Sequence, residues 1–271
     1  MPPPESARAR VRGSSSAALP RPSVRPGSGI ALDLGSVRTR AWIAGRGTIL
    51  DVPTVTFSGA GVVYPVQRGT IVDVPGTARM LERLLGHRLP LLSRPLVAVT
   101  TPVLDGPMFR ERARTAVQVL RPRSVLTVPG ALAVAVAAHA DLSRPLLVLD
   151  IGAHLTEAVL LLDGDVLDAR RTALGTTDLP YAASSVEISE AVGAVVTSML
   201  RQDRTCLTAD ALSRGVLLAG GGALRPDLPR RIVSRLQAPL RAVPAPHTAA
   251  VRGAAQILRS AHVHPSAKGT P

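Results

Sequence analysis

Two segments of the chain repeat the same arrangement of residues that could do chemistry. In each, an apolar run ends in an aspartate, one apolar residue and a glycine, at Asp33-Leu34-Gly35 and at Asp150-Ile151-Gly152. A glycine turn at the end of a buried strand exposes backbone N–H groups that can donate to phosphate oxygens. The aspartate can hold Mg²⁺ through water, since Mg²⁺ prefers oxygen ligands and keeps several waters. One copy alone is better explained as an ordinary hairpin turn, but two copies in register favour a clamp around a phosphate ligand.

A third glycine-rich segment, Gly220-Gly221-Gly222, comes directly after an apolar run and before a helical pattern. Because glycine has no side chain, such a segment lets the backbone approach a flat ligand closely. Three glycines are also common in ordinary loops. Their place after the two aspartate-glycine segments favours a binding role.

The hydrophobic patterns predict an α/β chain that could position these three segments. Strands are predicted at 30–34, 39–44, 48–52, 96–100, 125–128, 146–150, 158–162 and 216–219. Helices are predicted at 77–85, from the capping residue Asp105 to Leu120, and at 131–140, 186–200, 228–236 and 248–258. Because strand, aspartate, glycine and hairpin recur in the same order, we expect two duplicated lobes around a cleft.

We expect four regions along the chain. Residues 1–28 form a tail rich in Pro, Ser and Arg, residues 29–130 the first lobe, residues 131–259 the second lobe with a C-terminal connecting helix, and residues 260–271 a second tail. The first tail has too few apolar residues to offset the entropy of ordering it, so disorder is expected there and in the second tail. The first tail also lacks the apolar centre of a signal peptide.

Composition narrows the classes of function. Aromatic residues make up 2% of the 271 residues, so the core must consist of Ala, Val and Leu, and stacking platforms for nucleobases are nearly excluded. The net charge of +13 therefore favours an anionic membrane surface or another protein as partner over nucleic acid. The single cysteine, Cys206, excludes an intramolecular disulfide and an all-cysteine zinc site. No apolar run is long enough to predict a transmembrane helix, so a cytoplasmic protein is expected.

The glycine segments and their surroundings resemble the actin/Hsp70/sugar-kinase ATPase superfamily and, within it, the bacterial actin MreB family. The resemblance rests on IALDLGSVRTRAWIAGRGTILDVPTVTF, RGTIVDVPGTARMLERLL, LVLDIGAHLTEAVLLLDGDV, GVLLAGGGALRPDLPRRI and TAAVRGAAQIL, and covers nearly all of residues 29–259. It implies an α/β fold, an actin-like ATPase core of the ribonuclease H-like type with two duplicated lobes around a cleft.

The resemblance also implies a function and a site. Members of the family bind ATP with Mg²⁺ and polymerise beneath the membrane into filaments that direct cell-wall synthesis and cell shape. The site carried over to this chain consists of Asp33, Gly35, Ser36, Asp150, Gly152, Gly220, Gly221 and Gly222, with Asp33 and Asp150 as the metal-binding pair.

The sequence departs from the family pattern at three places, and these departures put the implied site in doubt. Val128 stands where the family has its hydrolytic acid before a proline, and loss of a group that orients or deprotonates water costs about 10²–10⁴ in rate. Ala153 and His154 replace two glycines, so their side chains limit positive φ and project toward the phosphates. Arg38 stands where the family usually has Asn, and it either binds a phosphate or pairs with Asp150 and fills the anion site itself.

The chain is also shorter than the family pattern in two places. Between Phe57 and Gly69, and again between Leu174 and Val186, the family carries outer subdomains, and only short segments remain here. With the outer subdomains largely missing, a bound nucleotide is expected to be half exposed and weakly held. The same subdomains carry much of the longitudinal filament contact, so the double filaments of the family are not expected to form in full.

An apolar loop that includes Leu91 and Leu92, flanked by Arg88 and Arg94, falls where MreB-like proteins carry a membrane-inserting loop. An apolar tip with arginine flanks suits an anionic inner leaflet, and the arginine-rich tail would supply the second anchor that stable binding needs. The alternative is a segment packed on the core at the entry to a strand. We expect peripheral contact with the inner face of the cell membrane through the loop and the tail.

Three hypotheses of function follow. The first is a divergent MreB-like cytoskeletal or scaffold protein in cell shape and cell-wall morphogenesis, with a degraded ATP site and little or no hydrolysis. The second is an active Mg-ATPase that self-associates into filaments, with another group positioning the water. The third is an adaptor that binds no nucleotide and docks on a filament of full-length MreB.

Overall fold

The computed structural model describes residues 28–59, 61–89, 94–104 and 106–263. The predicted tails, except for their innermost residues, the apolar loop with Leu91 and Leu92, and the predicted helix cap Asp105 lie outside the described residues.

The described part of the first lobe contains strands and helices in the following order. They are β1 (Gly29–Leu34), β2 (Arg38–Ile43), β3 (Ile49–Pro53), β4 (Thr56–Ser58), β5 (Gly61–Val63), β6 (Val66–Gln67), β7 (Thr70–Ile71), α1 (Val74–Leu85), β8 (Leu96–Thr101), α2 (Gly106–Val117) and β9 (Ser124–Pro129). Short 3-10 turns at Gly86–Arg88 and Gln118–Leu120 follow the two helices.

The second lobe continues directly from β9. Its elements are α3 (Gly130–Ala137), β10 (Leu146–Ile151), β11 (Thr156–Leu162), β12 (Asp165–Thr172), α4 (Tyr181–Gln202), α5 (Leu207–Arg214), β13 (Val216–Ala219), α6 (Leu228–Leu236), β14 (Leu240–Ala242) and α7 (Ala249–Val263). Two 3-10 turns, Gly221–Leu224 and Pro246–Thr248, follow β13 and β14.

The two lobes contain five-stranded sheets with the same topology. The strand order is β3-β2-β1-β8-β9 in the first lobe and β12-β11-β10-β13-β14 in the second. In each sheet the first three strands form an antiparallel meander, and the next two run parallel to the first. The carboxyl ends of β1 and β10, which carry the aspartate-glycine segments, therefore occupy equivalent positions. The prediction of a duplicated α/β fold with two lobes is confirmed.

Two helices, α3 and α7, pack between the sheets. Residues of β1, β8 and α7 share one buried cluster, whereas α3 packs with alternate residues of β10 and β11. The opposite faces of the sheets are covered by α1 and α2 in the first lobe and by α4 and α6 in the second. Both central strands are buried on both faces, which explains why they are continuously apolar rather than alternating.

The contact between α3 and α7 depends on a small residue. A Cβ atom at Gly253 of α7 would lie 1.7 Å from the carbonyl oxygen of Ala133 in α3. Any side chain at position 253 would therefore push the two helices apart. The alanine-rich sequence of α3 serves the same close approach, because Ala131, Ala133, Ala135 and Ala137 are all buried.

Several element boundaries differ from the predictions. Helix α1 begins three residues early because Asp73 caps it, its Oδ1 accepting a hydrogen bond of 2.8 Å from the Gly76 N–H. Helix α4 begins five residues before the predicted start, since its first residues, YAASS, include no large aliphatic side chain to mark a helical period. The short strands β4 to β7, the strands β12 and β14 and the helix α5 were not predicted.

The two places where the family carries outer subdomains hold little structure here. The first contains only the hairpins β4–β5 and β6–β7, and the second, residues 173–180, has neither helix nor strand. Among the described helices, none combines the length and the hydropathy that crossing a bilayer requires.

Candidate functional site

The carboxyl ends of β1 and β10 face a cavity of about 300 Å³ between the lobes. Its lining includes both aspartate-glycine segments and the glycine segment after β13. Of the predicted site residues, those that line it are Asp33, Gly35, Ser36, Arg38, Asp150, Gly152, Gly220 and Gly221. Asp33 and Gly220, which are 187 positions apart in the sequence, thus line the same cavity.

Gly222 does not line the cavity. It is buried, and a Cβ atom there would lie 2.4 Å from Cγ2 of Ile151, so its role is to let the 3-10 turn pack on β10. Gly220 needs to be glycine for two reasons: its φ is +83°, and a Cβ would lie 2.4 Å from Oδ1 of Asp150. Gly221 faces open space, where its backbone is accessible to a ligand.

In the first loop, the Gly35 N–H donates to the carbonyl of Arg38 at 3.1 Å and closes a tight turn. Asp33, at the end of β1, is held from two sides. The Thr100 hydroxyl donates to its Oδ1 at 2.8 Å, and Nη1 of Arg40 lies 3.6 Å from its Oδ2. Sequence reasoning missed both Thr100 and Arg40, although Arg40 is the residue opposite Asp33 in the β1–β2 register.

Arg38 lines the cavity but pairs with neither of the two cleft aspartates, Asp33 and Asp150. Its Nε donates to Oδ1 of Asp51 at 2.8 Å, and its Nη2 donates to the Asp51 carbonyl at 2.8 Å. The predicted pairing of Arg38 with Asp150 is therefore not what the structure has. Burial alone would raise the pKa of Asp51, but the hydrogen bond from Arg38 and the charges of Arg40 and Arg38 hold that pKa below its ordinary value.

In the second loop, the Gly152 N–H donates to the Leu155 carbonyl at 2.8 Å and closes the equivalent turn. Ala153 and His154 line the cavity, as expected from their replacement of glycine. Neither has a positive φ, so the side chains cause no backbone strain. The loop therefore satisfies the predicted restriction, since neither of these two residues adopts a positive φ.

Both turns contain backbone N–H groups that have no acceptor within the described residues. The N–H groups of Ser36, Val37, Ala153 and His154 belong to cavity-lining residues and donate to no other residue in the described part of the chain. Two consecutive free N–H groups at a turn form a concave anion-binding nest. The two lobes thus present one nest each.

Two carboxyl groups of the second lobe, Asp150 and Glu157, lie in surroundings that disfavour their ionised forms. Burial raises the pKa of Asp150 to about 6, the charge of Asp33 adds to the rise, and the charge of Arg40 opposes it. Burial likewise raises the pKa of Glu157 to about 7, with a further rise from Asp150. Glu157 faces Asp150 in the β10–β11 register and accepts a hydrogen bond of 3.2 Å from the Val103 N–H of the first lobe. Hydrogen bonds from the backbone of Val103 and Leu104 and the charge of Arg171 oppose its rise.

Sequence reasoning also missed Glu157 and a cavity-lining histidine, His247. The alternation along β11 places Glu157 on the face that carries Asp150, and that pattern could have found it once the hairpin register was known. Nδ1 of His247 is buried and has no hydrogen-bond partner among the described residues. Nothing in the sequence around His247 marks it as a site residue.

Val128 lies outside the cavity lining. It is 5% exposed and packs with Ala133, Val251 and their neighbours between the lobes. No group of three His, Cys, Asp or Glu side chains in the described ranges is close enough to ligate a metal directly. Asp33 and Asp150 therefore remain a pair that could hold Mg²⁺ only with water completing the shell.

Two equivalent sheets with phosphate-type loops at a shared cleft define the class of protein, the actin-like ATPase fold. Comparison with solved structures supports this assignment of the fold. The chain superposes on MreB5 of Spiroplasma citri bound to ADP with a TM-score of 0.77 at 15% identity, covering 88% of this chain and 99% of that one. A MamK double helical filament gives 0.72 at 15% identity with the same coverage, 88% and 99%. The ethanolamine utilization protein EutJ from Carboxydothermus hydrogenoformans gives 0.61 at 15% identity, covering 85% and 89%.

Sequence comparison narrows the class. The family model MreB/Mbl protein matches residues 181–265, from the start of α4 through α7. No curated protein shows significant similarity to the sequence. The family match and the fold together support an MreB-like actin homologue.

Proposed function

We propose that the protein is an MreB-like cytoskeletal or scaffold protein in cell shape and cell-wall morphogenesis, with a cleft that binds ATP and Mg²⁺ weakly. The observation that carries the proposal is the meeting of two N–H nests, two aspartates and an open glycine backbone in one cavity. MreB5, which the fold resembles, has been solved with ADP and with AMPPNP.

The residues of the cleft fit a polyphosphate with a hydrated cation. Ser36 and Val37 on one side and Ala153 and His154 on the other would donate backbone N–H groups to phosphate oxygens. Asp150, whose pKa is raised to about 6, would gain from a cation that offsets its repulsion with Asp33. Bound Mg²⁺ would supply charge neutralisation of the phosphates.

Weak binding and slow hydrolysis follow from what is missing. A cavity of about 300 Å³ lies at the lower end of ligand pockets, and the segment 173–180 offers no subdomain to cover a base. Val128 offers no carboxylate to the attacking water, so turnover is expected about 10²–10⁴-fold below that of an enzyme with the acid.

Equilibrium binding of fluorescently labelled ATP with Mg²⁺ tests the nucleotide site. Asp150→Asn should weaken Mg-dependent binding, while Asp165→Asn, at the exposed first residue of β12, is the matched control and should not. Binding that is absent in the wild type would refute the nucleotide site and favour the adaptor that docks on full-length MreB.

Phosphate release measures the second hypothesis, an active Mg-ATPase. Turnover that appears with Val128→Glu but not with Val128→Gln would identify a damaged ATPase. Because position 128 is apolar and buried, both variants need a folding check by circular dichroism. Wild-type turnover at ordinary ATPase rates would overturn the proposal of a degraded site.

Self-association is the second part of the proposal. A MamK filament is among the structures that share the fold, and its superposition covers 88% of this chain and 99% of that one. Ultracentrifugal pelleting across a concentration series, with and without ATP, tests it. A chain that stays monomeric at all concentrations and still binds labelled MreB filaments would favour the adaptor.

Charge distribution supports membrane contact through the first lobe. Residues 29–130 contain 13 arginines against 6 acidic residues, whereas residues 131–259 contain 13 against 12. Five arginines stand at the edge where β1, β8 and β9 begin, opposite the cleft: Arg46, Arg88, Arg94, Arg121 and Arg123. Ser28, the last residue of the tail, lies at the same edge, where the Leu96 N–H donates to its carbonyl at 2.9 Å. In the sequence, Leu91 and Leu92 come shortly before the first residue of β8.

Co-sedimentation with vesicles containing anionic phosphatidylglycerol tests this contact. Arg121→Gln/Arg123→Gln should reduce binding, and Arg230→Gln/Arg231→Gln on exposed α6 of the second lobe is the control of equal charge change. A tail-deleted chain with Leu91→Ser/Leu92→Ser that sediments as well as the wild type would remove the membrane from the proposal.

A further inference from the structure

The hairpin β6–β7 of the first lobe reaches the second lobe across the mouth of the cleft. Nη2 of Arg68 lies 2.7 Å from Oδ1 of Asp178, and its Nη1 donates to the carbonyl of Ala173. Next to it, Gly69 approaches the second lobe so closely that a Cβ there would lie 2.7 Å from Cδ2 of Leu155. The contacts join segments more than 80 residues apart in the sequence.

The backbone at Arg68 is unfavourable for an arginine. Arg68 has a φ of +46° and Gly69 a φ of +74°, so both central residues of this two-residue turn are left-handed. Such turns strongly favour Asn-Gly, because a longer side chain at the first position pays a steric cost. A residue held in a strained conformation points to a role that the local turn does not explain. The side chain that reaches Asp178 supplies that role.

Asp178 is fixed on the other side of the cleft. Its side chain is 10% exposed, and its Oδ2 accepts a hydrogen bond of 2.7 Å from the Gly175 N–H. The following N–H groups of Thr176 and Thr177 donate at 3.0 Å to the carbonyls of Gly152 and Ala153 in the second phosphate-type loop. Asp178 is thus connected through one short segment to the floor of the cavity.

We propose that Arg68 and Asp178 form an ionic clasp that holds the mouth of the cleft closed and controls access to it. The helices α3 and α7 connect the lobes at the base of the cleft, and the clasp connects them at the mouth. Breaking the clasp leaves the base intact and lets the mouth open. Because Arg68 is half exposed, the clasp is sensitive to ionic strength.

Interlobe distance measurement tests the clasp without any nucleotide. Exposed Cys206 in the second lobe and Glu82→Cys on exposed α1 provide two spin-label positions, one per lobe, for double electron–electron resonance. Arg68→Asn gives the turn its preferred residue while removing the clasp, so opening cannot be ascribed to a damaged hairpin. Asp178→Asn removes the charge but retains an oxygen for the Gly175 N–H.

Each variant should increase the population of longer distances by about threefold to tenfold. The double variant should open no further than either single variant, because both remove the same interaction.

Wild type at about 0.5 M NaCl should approach the variants, and the variants should respond less to salt. Arg79→Gln, which breaks a 3.9 Å pair with Asp73 inside the first lobe, is the matched control and should leave the distances unchanged. Unchanged distances in Arg68→Asn, or additive effects in the double variant, would overturn the proposal whatever the chain does with ATP.

Discussion

The two lobes present the same hairpin to the cleft but place their cation differently. Across β1, β2 and β3 the register aligns Asp33, Arg40 and Asp51, and across β10, β11 and β12 it aligns Asp150, Glu157 and Arg171. Both rows contain two acids and one arginine. In the first row the arginine stands between the acids, whereas in the second it stands at the outer end.

The position of the cation, rather than the net charge of the row, sets the chemistry of each lobe. In the first lobe Arg40 neutralises the acid beside the cleft and the one behind it, and the pKa of Asp51 is lowered. In the second lobe two acids are neighbours, and burial raises the pKa of both; the charge of Asp33 adds to the rise at Asp150, and the charge of Asp150 adds to the rise at Glu157. The second lobe therefore holds the charge that a cation in the cleft would compensate.

The largest effect is expected from removing the central cation. Arg40→Gln should lower the free energy of unfolding by about 3 kcal/mol at pH 8, because it leaves partly buried carboxylates without a counter-charge. The loss should shrink at pH 5, where Asp150, whose charge Arg40 also offsets, is largely protonated. Urea denaturation at both pH values measures this. An equal loss at the two pH values would show that packing, and not charge, explains it.

The next largest effect is expected in how the free energy of unfolding depends on pH, which should differ between the two rows of aligned residues. The folded-state pKa values of Asp150 and Glu157 are about 6 and 7, above their ordinary values, so the folded chain binds protons more tightly than the unfolded chain. Their contribution is therefore most favourable below about pH 4 and is lost as pH rises through about 6 and 7, amounting to about 3 kcal/mol for each group. Asp51, with its lowered pKa, contributes the opposite sign and is lost only in acid. Thermal unfolding of wild type and Glu157→Gln across this range should show a smaller loss in the variant.

Neutralising one acid in each lobe should give effects of opposite sign. Glu157→Gln at pH 8 removes a like charge and keeps an oxygen for the Val103 N–H, so it should stabilise by about 1 kcal/mol. Asp33→Asn removes a partner of Arg40 and should destabilise by about 1 kcal/mol. The same sign in both variants would contradict the comparison of the rows.

The smallest effect is expected at the edge of the first row. Arg38→Gln should lower the free energy of unfolding by about 0.5 kcal/mol, because its side chain is 41% exposed and solvent screens its pairing with Asp51. Urea denaturation beside Arg40→Gln provides the comparison on one strand. A loss as large as that of Arg40→Gln would mean that the inner arginine has no special position.

Much of this arrangement could be predicted from the sequence. The paired aspartate-glycine segments predicted the duplicated sheets, and eight of the predicted site residues line one cavity. The edge strand β12 was missed because its sequence, DVLDARRT, is mostly polar and pairs with a neighbour on one side only. Arg40 and Glu157 were missed because their roles depend on strand register, which the hairpin sequences do not reveal by themselves. Gly222 was assigned to the site because the three glycines look alike until their packing is known.

The effects of single residues that depart from the family pattern could be predicted only in part. The replacement of glycine by Ala153 and His154 was expected to limit positive φ, and neither residue has a positive φ. Arg38 was expected to bind a phosphate or to pair with Asp150; it pairs with Asp51 of β3 rather than with Asp150, and the phosphate alternative stays a prediction. Whether Val128 costs the chain its hydrolysis stays a prediction.

The crossing of α3 and α7 at Gly253 gives the molecule a fulcrum. Because the backbones of the two helices touch there without an intervening side chain, we expect any rotation of one lobe relative to the other to pivot at this crossing. Trp42, the one tryptophan of the chain, lies under the guanidinium of Arg259 in α7, 5.6 Å from its ring centre. Its fluorescence therefore offers an optical signal, native to the chain, of any motion that begins at the fulcrum.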